Sequence, residues 1–392
     1  MQRKRIKLSA KDGCGRNVPL MLCITLLQGL VFYSALATAH KRALGLSLLD
    51  ITAIEGFHTL LMLVLILPWG VFADRVGYKR TLILCNALYL ISKVCFWAAE
   101  GYTLFLLERL FRAAAVSGLS TCSSAFLYLS ARDDGGKRAF SRYTAASAAG
   151  VLISSFALSS VLQSDVRLAS ALTMAAFLAA FVLTLFLKEV RPGLADGGRT
   201  LAASLKKVCR AIITKRRFLL FIVAAALFDE CAYLVTIVLN QPFFVRAGIP
   251  EESFGYLYAL SRGLTMLAVF SPSLVGRFGE RRTVIGLLTV GMLSCAALAL
   301  WSNPFVTVSA VILLRTAAGL FSPIKMTVQN REIDVEERAT MLAAFFIVTR
   351  SCMAASDWAA GAAAEVNIVL CAFLLSGLLL LACLLYTHWS RD

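Results

Sequence analysis

The sequence predicts an all-α membrane protein with twelve transmembrane helices in two pseudo-symmetric six-helix halves. Three observations carry this. Of 392 residues, 59% are hydrophobic and 16% charged, and the mean hydropathy is +0.77. A water-soluble fold of this length cannot hide so much apolar surface, because much of any folded surface stays wetted. The apolar residues fall into twelve runs, each near the ~20 residues that cross a bilayer as a helix. Finally, a short basic turn occurs twice, as Val71-Phe-Ala-Asp-Arg-Val-Gly-Tyr-Lys-Arg-Thr-Leu-Ile83 and as Ser273-Leu-Val-Gly-Arg-Phe-Gly-Glu-Arg-Arg-Thr-Val-Ile285. The copies lie 202 positions apart. Soluble repeats recur at much shorter periods, so the spacing points to a duplicated membrane bundle.

Taken in order, residues 1–17 are a basic tail with Arg3, Lys4, Arg5, Lys7, Lys11 and Arg16. Run 1 (18–39) ends in Ala37-Thr38-Ala39, which imitates a secretory cleavage site. It is longer than a signal core and eleven more runs follow, so it is expected to stay in place. Runs 2 (51–73) and 3 (81–99) flank the first turn, and runs 4 (103–130), 5 (140–163) and 6 (168–187) complete an N-terminal half over 18–187. The longest polar stretch, 188–217, divides the halves. Within it Leu201, Leu205, Val208, Ile212 and Ile213 recur at helical spacing among Lys206, Lys207 and Arg210. That pattern predicts a basic amphipathic helix on the inner leaflet, acting as a tether. Runs 7 (218–244), 8 (253–275), 9 (283–301), 10 (304–329), 11 (340–363) and 12 (366–387) form a C-terminal half over 218–387, and 388–392 is a second cytoplasmic tail.

The formal charge of +16 reports topology. With the N-terminus inside, the tail, both turns and the nine basic residues of 188–217 face the cytoplasm, whereas Lys41, Arg42, Arg167 and Arg246 face outward. This positive-inside asymmetry places both termini in the cytoplasm of a multi-pass inner (plasma) membrane protein, and no nucleic-acid partner is expected. The 11 cysteines sit singly in helices or in cytoplasmic segments and read as small packing residues. No metal-ligand cluster, no phosphate-binding Gly-x-x-x-x-Gly-Lys-Ser/Thr loop and no nucleophile with a base at motif spacing occurs, so neither an enzyme nor a cofactor is expected.

Ionisable residues inside apolar runs are the functional candidates, since each costs at least ~2.5–3.5 kcal/mol at mid-bilayer. Asp229 and Glu230 lie about a dozen residues into run 7, and Asp229, Tyr233, Thr236 and Asn240 make one polar stripe. A carboxylate there can take a proton, a cation, or each in turn; alternatively it pairs with Arg262 of run 8, at similar depth. Arg350 and Asp357 share a face of run 11. Arg350 and Arg262 either fix an anionic group or neutralise Asp229, Glu230 and Asp357. Glu55 and His58 sit three apart in run 2, near its outer end, where the histidine suits a proton-linked role or plain packing. Lys93 and Lys325 are expected to snorkel to headgroups.

Gly70-x-x-x-Asp74-Arg75-x-Gly77-x-Lys79-Arg80 resembles the signature loop between helices 2 and 3 of the major facilitator superfamily. Weaker duplications fit that likeness: Arg109-Leu-Phe-Arg-Ala113 in run 4 beside Arg315-Thr-Ala-Ala-Gly319 in run 10, and Arg138-Ala139 beside Arg338-Ala339. The run from Gly45 to Lys79 is similar to the drug-efflux-like branch of bacterial facilitators. Tyr78 and Gly276 depart from the family pattern, and run 5 lacks the proline of proton-driven antiporters. The resemblance implies a monomeric secondary active transporter that moves a small solute by alternating access, coupled in this branch to protons and to export of drugs or metabolites. It also implies a latch between the halves at Asp74, Arg75 and Lys79, and a proton-transfer role for Arg109, with Arg112 as its rival. A transport-inactive receptor or scaffold on the same fold is the alternative; the density of mid-membrane charge favours transport.

Overall fold

The computed structural model describes residues 16–131, 136–162, 165–190, 216–331 and 338–390. The expected linker helix around 201–213 and most of the N-terminal tail lie outside them. Among the described residues, eleven helices are long and apolar enough to cross a membrane. They are α1 (Asn17–Ala43), α2 (Leu48–Val76), α3 (Tyr78–Trp97), α4 (Tyr102–Ser130), α5 (Gly136–Ser160), α6 (Val166–Leu185), α7 (Arg216–Tyr233 with its continuation), α8 (Glu251–Phe278), α9 (Glu280–Leu300), α10 (Pro304–Arg331) and α12 (Ile368–Trp389). The remaining long helix, α11 (Arg338–Val366), carries Arg350 and Asp357, and they lower its apolarity.

Local sequence explains where the helices start, stop and bend. A capping box at Ser47 and Asp50 starts α2, and Asp165 and Asn367 cap α6 and α12. Two glycines make the sharp reversals of the duplicated turn. Gly77 has φ +101° and Gly279 has φ +81°, a backbone region in which side-chain-bearing residues are strained. Three spans are irregular at mid-depth. α1 breaks between Gly29 and Ser34, α7 passes through a π-helical turn at Leu234–Val238 before resuming at Asn240–Arg246, and α8 tightens to a 3-10 helix at Thr265–Phe270. Such defects leave backbone groups off the regular ladder and recur at functional sites.

Packing repeats with the sequence. The pairs α1–α5, α1–α6, α2–α4, α3–α4 and α3–α6 recur as α7–α11, α7–α12, α8–α10, α9–α10 and α9–α12. Backbone approaches closely where side chains vanish: a Cβ on Gly150 of α5 would stand 2.2 Å from the Leu26 carbonyl of α1, and one on Gly118 of α4 2.2 Å from Cys85 Sγ of α3. Large apolar side chains such as Val64, Val161, Phe305 and Val366 point outward, as lipid requires.

The first and last six helices meet through α2–α11 and α5–α8. Those contacts concentrate at the end of the bundle opposite the two turns. Thr38 Oγ1 donates to the Val238 carbonyl at 2.7 Å, and the Ala39 amide donates to the Gln241 side chain. Glu365 accepts from the Leu48 and Leu49 amides at the start of α2. Gly361 packs onto Thr52, Gly56 onto Trp358, and Gly255 onto the Ser155 carbonyl. This far end is sealed.

Candidate functional site

A buried polar chain runs from α3 through α4 and α2 to α7. Lys93 of α3 is 3% exposed and lies among the Tyr33, Tyr89 and Phe177 rings, donating to Tyr33 Oη at 3.1 Å. Its ammonium is 3.8 Å from Glu108, an acid of α4 that is 1% exposed. Glu108 Oε2 is 3.3 Å from Arg109 Nε, close enough to pair although not aligned as a hydrogen bond. Arg109 then meets Glu55 of α2 at 2.5 Å. Glu55 accepts from the Tyr233 hydroxyl of α7 at 3.4 Å, which carries the chain across the midline. Two acids and two bases are thereby neutralised, as buried charges must be.

Beneath this chain lies the central cavity, about 610 Å3, between α2, α4, α7, α8, α10 and α11. It continues toward the turn end as a space of about 380 Å3 that reaches Gln329 and Phe345. Asp229 of α7 forms an ion pair here with Lys325 of α10. Glu230, one residue on, turns the other way and meets Asp357 of α11 carboxyl to carboxyl. His58 lines the same cavity, with its Nε2 buried and unpartnered among the described residues. Arg350 lines it too, with its guanidinium 5.1 Å from the centre of the Phe346 ring. A smaller cavity of about 150 Å3 sits beyond the polar chain toward the sealed end and takes in Arg262, which lies over the Tyr258 ring.

Several expectations need correction. Among the described residues Arg262 forms no ion pair with the acids of α7: Asp229 is taken by Lys325, and Arg262 lines the smaller cavity. Lys325 and Lys93 do not snorkel, because each has a buried or half-buried carboxylate within reach. Glu55 and His58 both line the central cavity, and Glu55 turns to Arg109 and Tyr233. Arg350 and Asp357 share α11, but Asp357 is engaged by Glu230. The helix starts Tyr102 and Pro304 are 202 apart like the turns, and at that offset Arg315 falls opposite Ala113, one residue from Arg112 and four from Arg109.

At the first turn, Gly70 lies within α2 and faces Thr121 of α4, and Arg75 and Arg80 are exposed. The side chain of Asp74 lies outside the described residues. Gly77 sits against Glu189, whose carboxylate accepts from the Lys79 amide at 3.1 Å at the start of α3. A carboxylate is favoured at a helix N-terminus, where free amides and the dipole point at it. Glu280 and Arg331 pair at 3.1 Å beside the second turn.

Sequence reasoning passed over Glu108, Glu189 and the partner of Lys325. Glu108 carried a usable signal, as an acid next to Arg109 deep in an apolar run. Glu189 carried none, because only the fold brings the end of one half back to the turn.

Compared with known proteins, residues 20–356 match the family model described as Major Facilitator Superfamily. No curated protein matches the chain in sequence. Similar solved structures include a point mutant of the nucleoside transporter NupG, with TM-score 0.81 and 15% identity, covering 96% of this chain and 100% of that one. A bacterial homologue of the human lysosomal transporter Spinster, in an inward-facing and unoccupied conformation, gives TM-score 0.74 and 16% identity over 97% and 98%. A POT family transporter in complex with 5-aminolevulinic acid gives 0.75 and 13% over 96% of each chain. At these identities the likeness is one of fold.

Proposed function

The chain belongs to the Major Facilitator Superfamily, and from that premise we propose that it is a proton-coupled secondary transporter carrying a small solute through the cavity between its halves. The observation that carries the reading is the central cavity itself: large enough for a metabolite, lined by charged groups of both signs, and sealed at one end. Fixed charges in a low-dielectric interior are costly unless they do something that an apolar lining cannot. The basic tail and turns support cytoplasmic termini in the plasma membrane, which makes this the inward-open state. Alternating access then requires α2–α11 and α5–α8 to part at the sealed end while the turn end closes. Export is the direction favoured by the likeness of 45–79 to drug-efflux-like facilitators. The protein acts as a monomer among lipids, with protons and a small solute as its ligands.

The coupling proton is assigned to Glu230 and Asp357. Two carboxyl groups in contact inside the membrane repel when both are charged, so they hold one proton between them and release it when α7 and α11 separate. The test is transport in liposomes containing a pH-sensitive dye, screened against a metabolite and drug library. The wild type should move protons only when a particular solute is supplied. Glu230→Gln with Asp357→Asn should keep solute exchange but lose solute-dependent proton movement. Proton movement unchanged in that double variant would exclude the pair from coupling. Absence of both solute and proton movement in the wild type would leave the receptor or scaffold reading.

A further inference from the structure

The central cavity holds more positive charge than it neutralises. Of the acids on its wall, Glu55 is taken by Arg109 and Asp229 by Lys325. That leaves Glu230, already engaged with Asp357, against three cations: Arg112 of α4, Arg315 of α10 and Arg350 of α11. Among the described residues, none of the three has a carboxylate within ion-pair distance. The Nε atoms of Arg112 and Arg315 are also buried without a hydrogen-bond partner among the described residues. A guanidinium presents five donors in a planar fork and stays charged, so an unsatisfied one at a cavity wall is costly unless a ligand completes it.

The placement is symmetric. Arg112 stands ten residues after the start of α4 at Tyr102, and Arg315 eleven after the start of α10 at Pro304. At 1.5 Å per residue both lie ~15–17 Å into the bundle. The duplicated helices thus bring one arginine from each half to a similar depth in the lining of one cavity. Arg350 reaches the same cavity from α11, steadied over Phe346.

We infer that the transported solute is a small organic anion, held through a carboxylate or phosphate group between Arg112 and Arg315, with Arg350 as the third wall of the site. The inference rests on the transporter reading and narrows it to a substrate class. Bidentate guanidinium contacts suit both acidic groups, and a bridge between the halves is what a solute must form if its binding is to draw them together. The cavity of about 610 Å3 accommodates a metabolite of modest size, not a bare ion. An interior-negative membrane potential favours outward movement of such an anion.

The test is thermal-shift binding with the full-length purified protein at constant ionic strength. The probes are a dicarboxylate, a tricarboxylate, a sugar phosphate and a nucleoside monophosphate. Tetraphenylphosphonium and a polyamine serve as cations, and a hexose and a nucleoside as neutral solutes. At least one anionic probe should stabilise the wild type saturably, and the carboxylate and phosphate arms identify which acid is used. Arg112→Gln and Arg315→Gln should each weaken that binding by about tenfold or more, the loss expected for a charged hydrogen bond. Arg112→Lys and Arg315→Lys keep the charge but not the fork. They should bind more weakly than wild type and more tightly than the glutamine variants, and they keep the comparison available if a glutamine variant fails to fold. Saturable binding of cationic or neutral probes alone would overturn the anion assignment and leave the transporter reading standing. So would anion binding that survives in both glutamine variants. Binding of no probe in any class would count against both.

Discussion

At the scale of single residues, the structure is a set of buried charges and their debts. Lys325 has one: it neutralises Asp229 and is itself only partly screened from water. Removing it with Lys325→Ala should strand a carboxylate at a cost of about 3–5 kcal/mol if the site stays dry, and less to the extent that cavity water reaches it. The expected result is a clear drop in melting temperature, largely restored by adding Asp229→Asn. A double variant no more stable than the single one would show that the pair does not stabilise the fold. By contrast, Arg262→Ala should cost little stability, because no carboxylate among the described residues lies within ion-pair distance of Arg262. The candidate residues were legible in the sequence as ionisable groups inside apolar runs, and Asp229, Glu230, Arg350, His58 and Glu55 all reach the central cavity. Their pairing was not. Matching depth made Arg262 the natural partner of Asp229, but pairing depends on rotation about each helix axis, and the 3-10 stretch of α8 changes that rotation by an amount composition does not encode.

At the scale of helices, small residues decide how closely neighbours approach. Gly150→Ala places a methyl 2.2 Å from a backbone carbonyl of α1, which cannot rotate away as a side chain can. Overpacking of this kind costs ~1–3 kcal/mol, so the variant should melt earlier and express poorly. Gly377→Ala on α12 meets nothing within 4 Å and removes a flexible helical glycine, so it should be neutral or slightly stabilising. Equal thermal stability of the two variants would refute the packing account of α1 and α5. The helix positions themselves were readable from apolar run length, because a bilayer demands a narrow range of spans. The break in α1 and the π-turn in α7 were not, since neither Leu30–Tyr33 nor Leu234–Val238 contains a proline. At the end of the π-turn the Val238 carbonyl accepts from Thr38 of α1, a tertiary contact that run length does not encode.

At the scale of the whole molecule, duplication is the governing fact. The 202-residue offset of the turns reappears in the starts of α4 and α10, and five packing pairs recur in both sets of six helices. A parallel duplication of this kind relates the halves by an axis along the membrane normal, and rocking one half against the other around the central cavity would give two arrangements, one with each end closed. Only one arrangement is seen here, with α1, α7, α2 and α11 locked at the end away from the turns.

The most direct test measures both ends at once. Spin labels at Arg42 and Val245 would report the sealed end, and labels at Arg75 and Arg277 the turn end, in a background with the native cysteines replaced. Distance distributions would be taken in liposomes with and without a saturating solute and across an imposed pH gradient. Alternating access predicts opposite changes: the Arg42–Val245 distance should lengthen in the same conditions in which the Arg75–Arg277 distance shortens. Both distances unchanged, or both moving together, would contradict it.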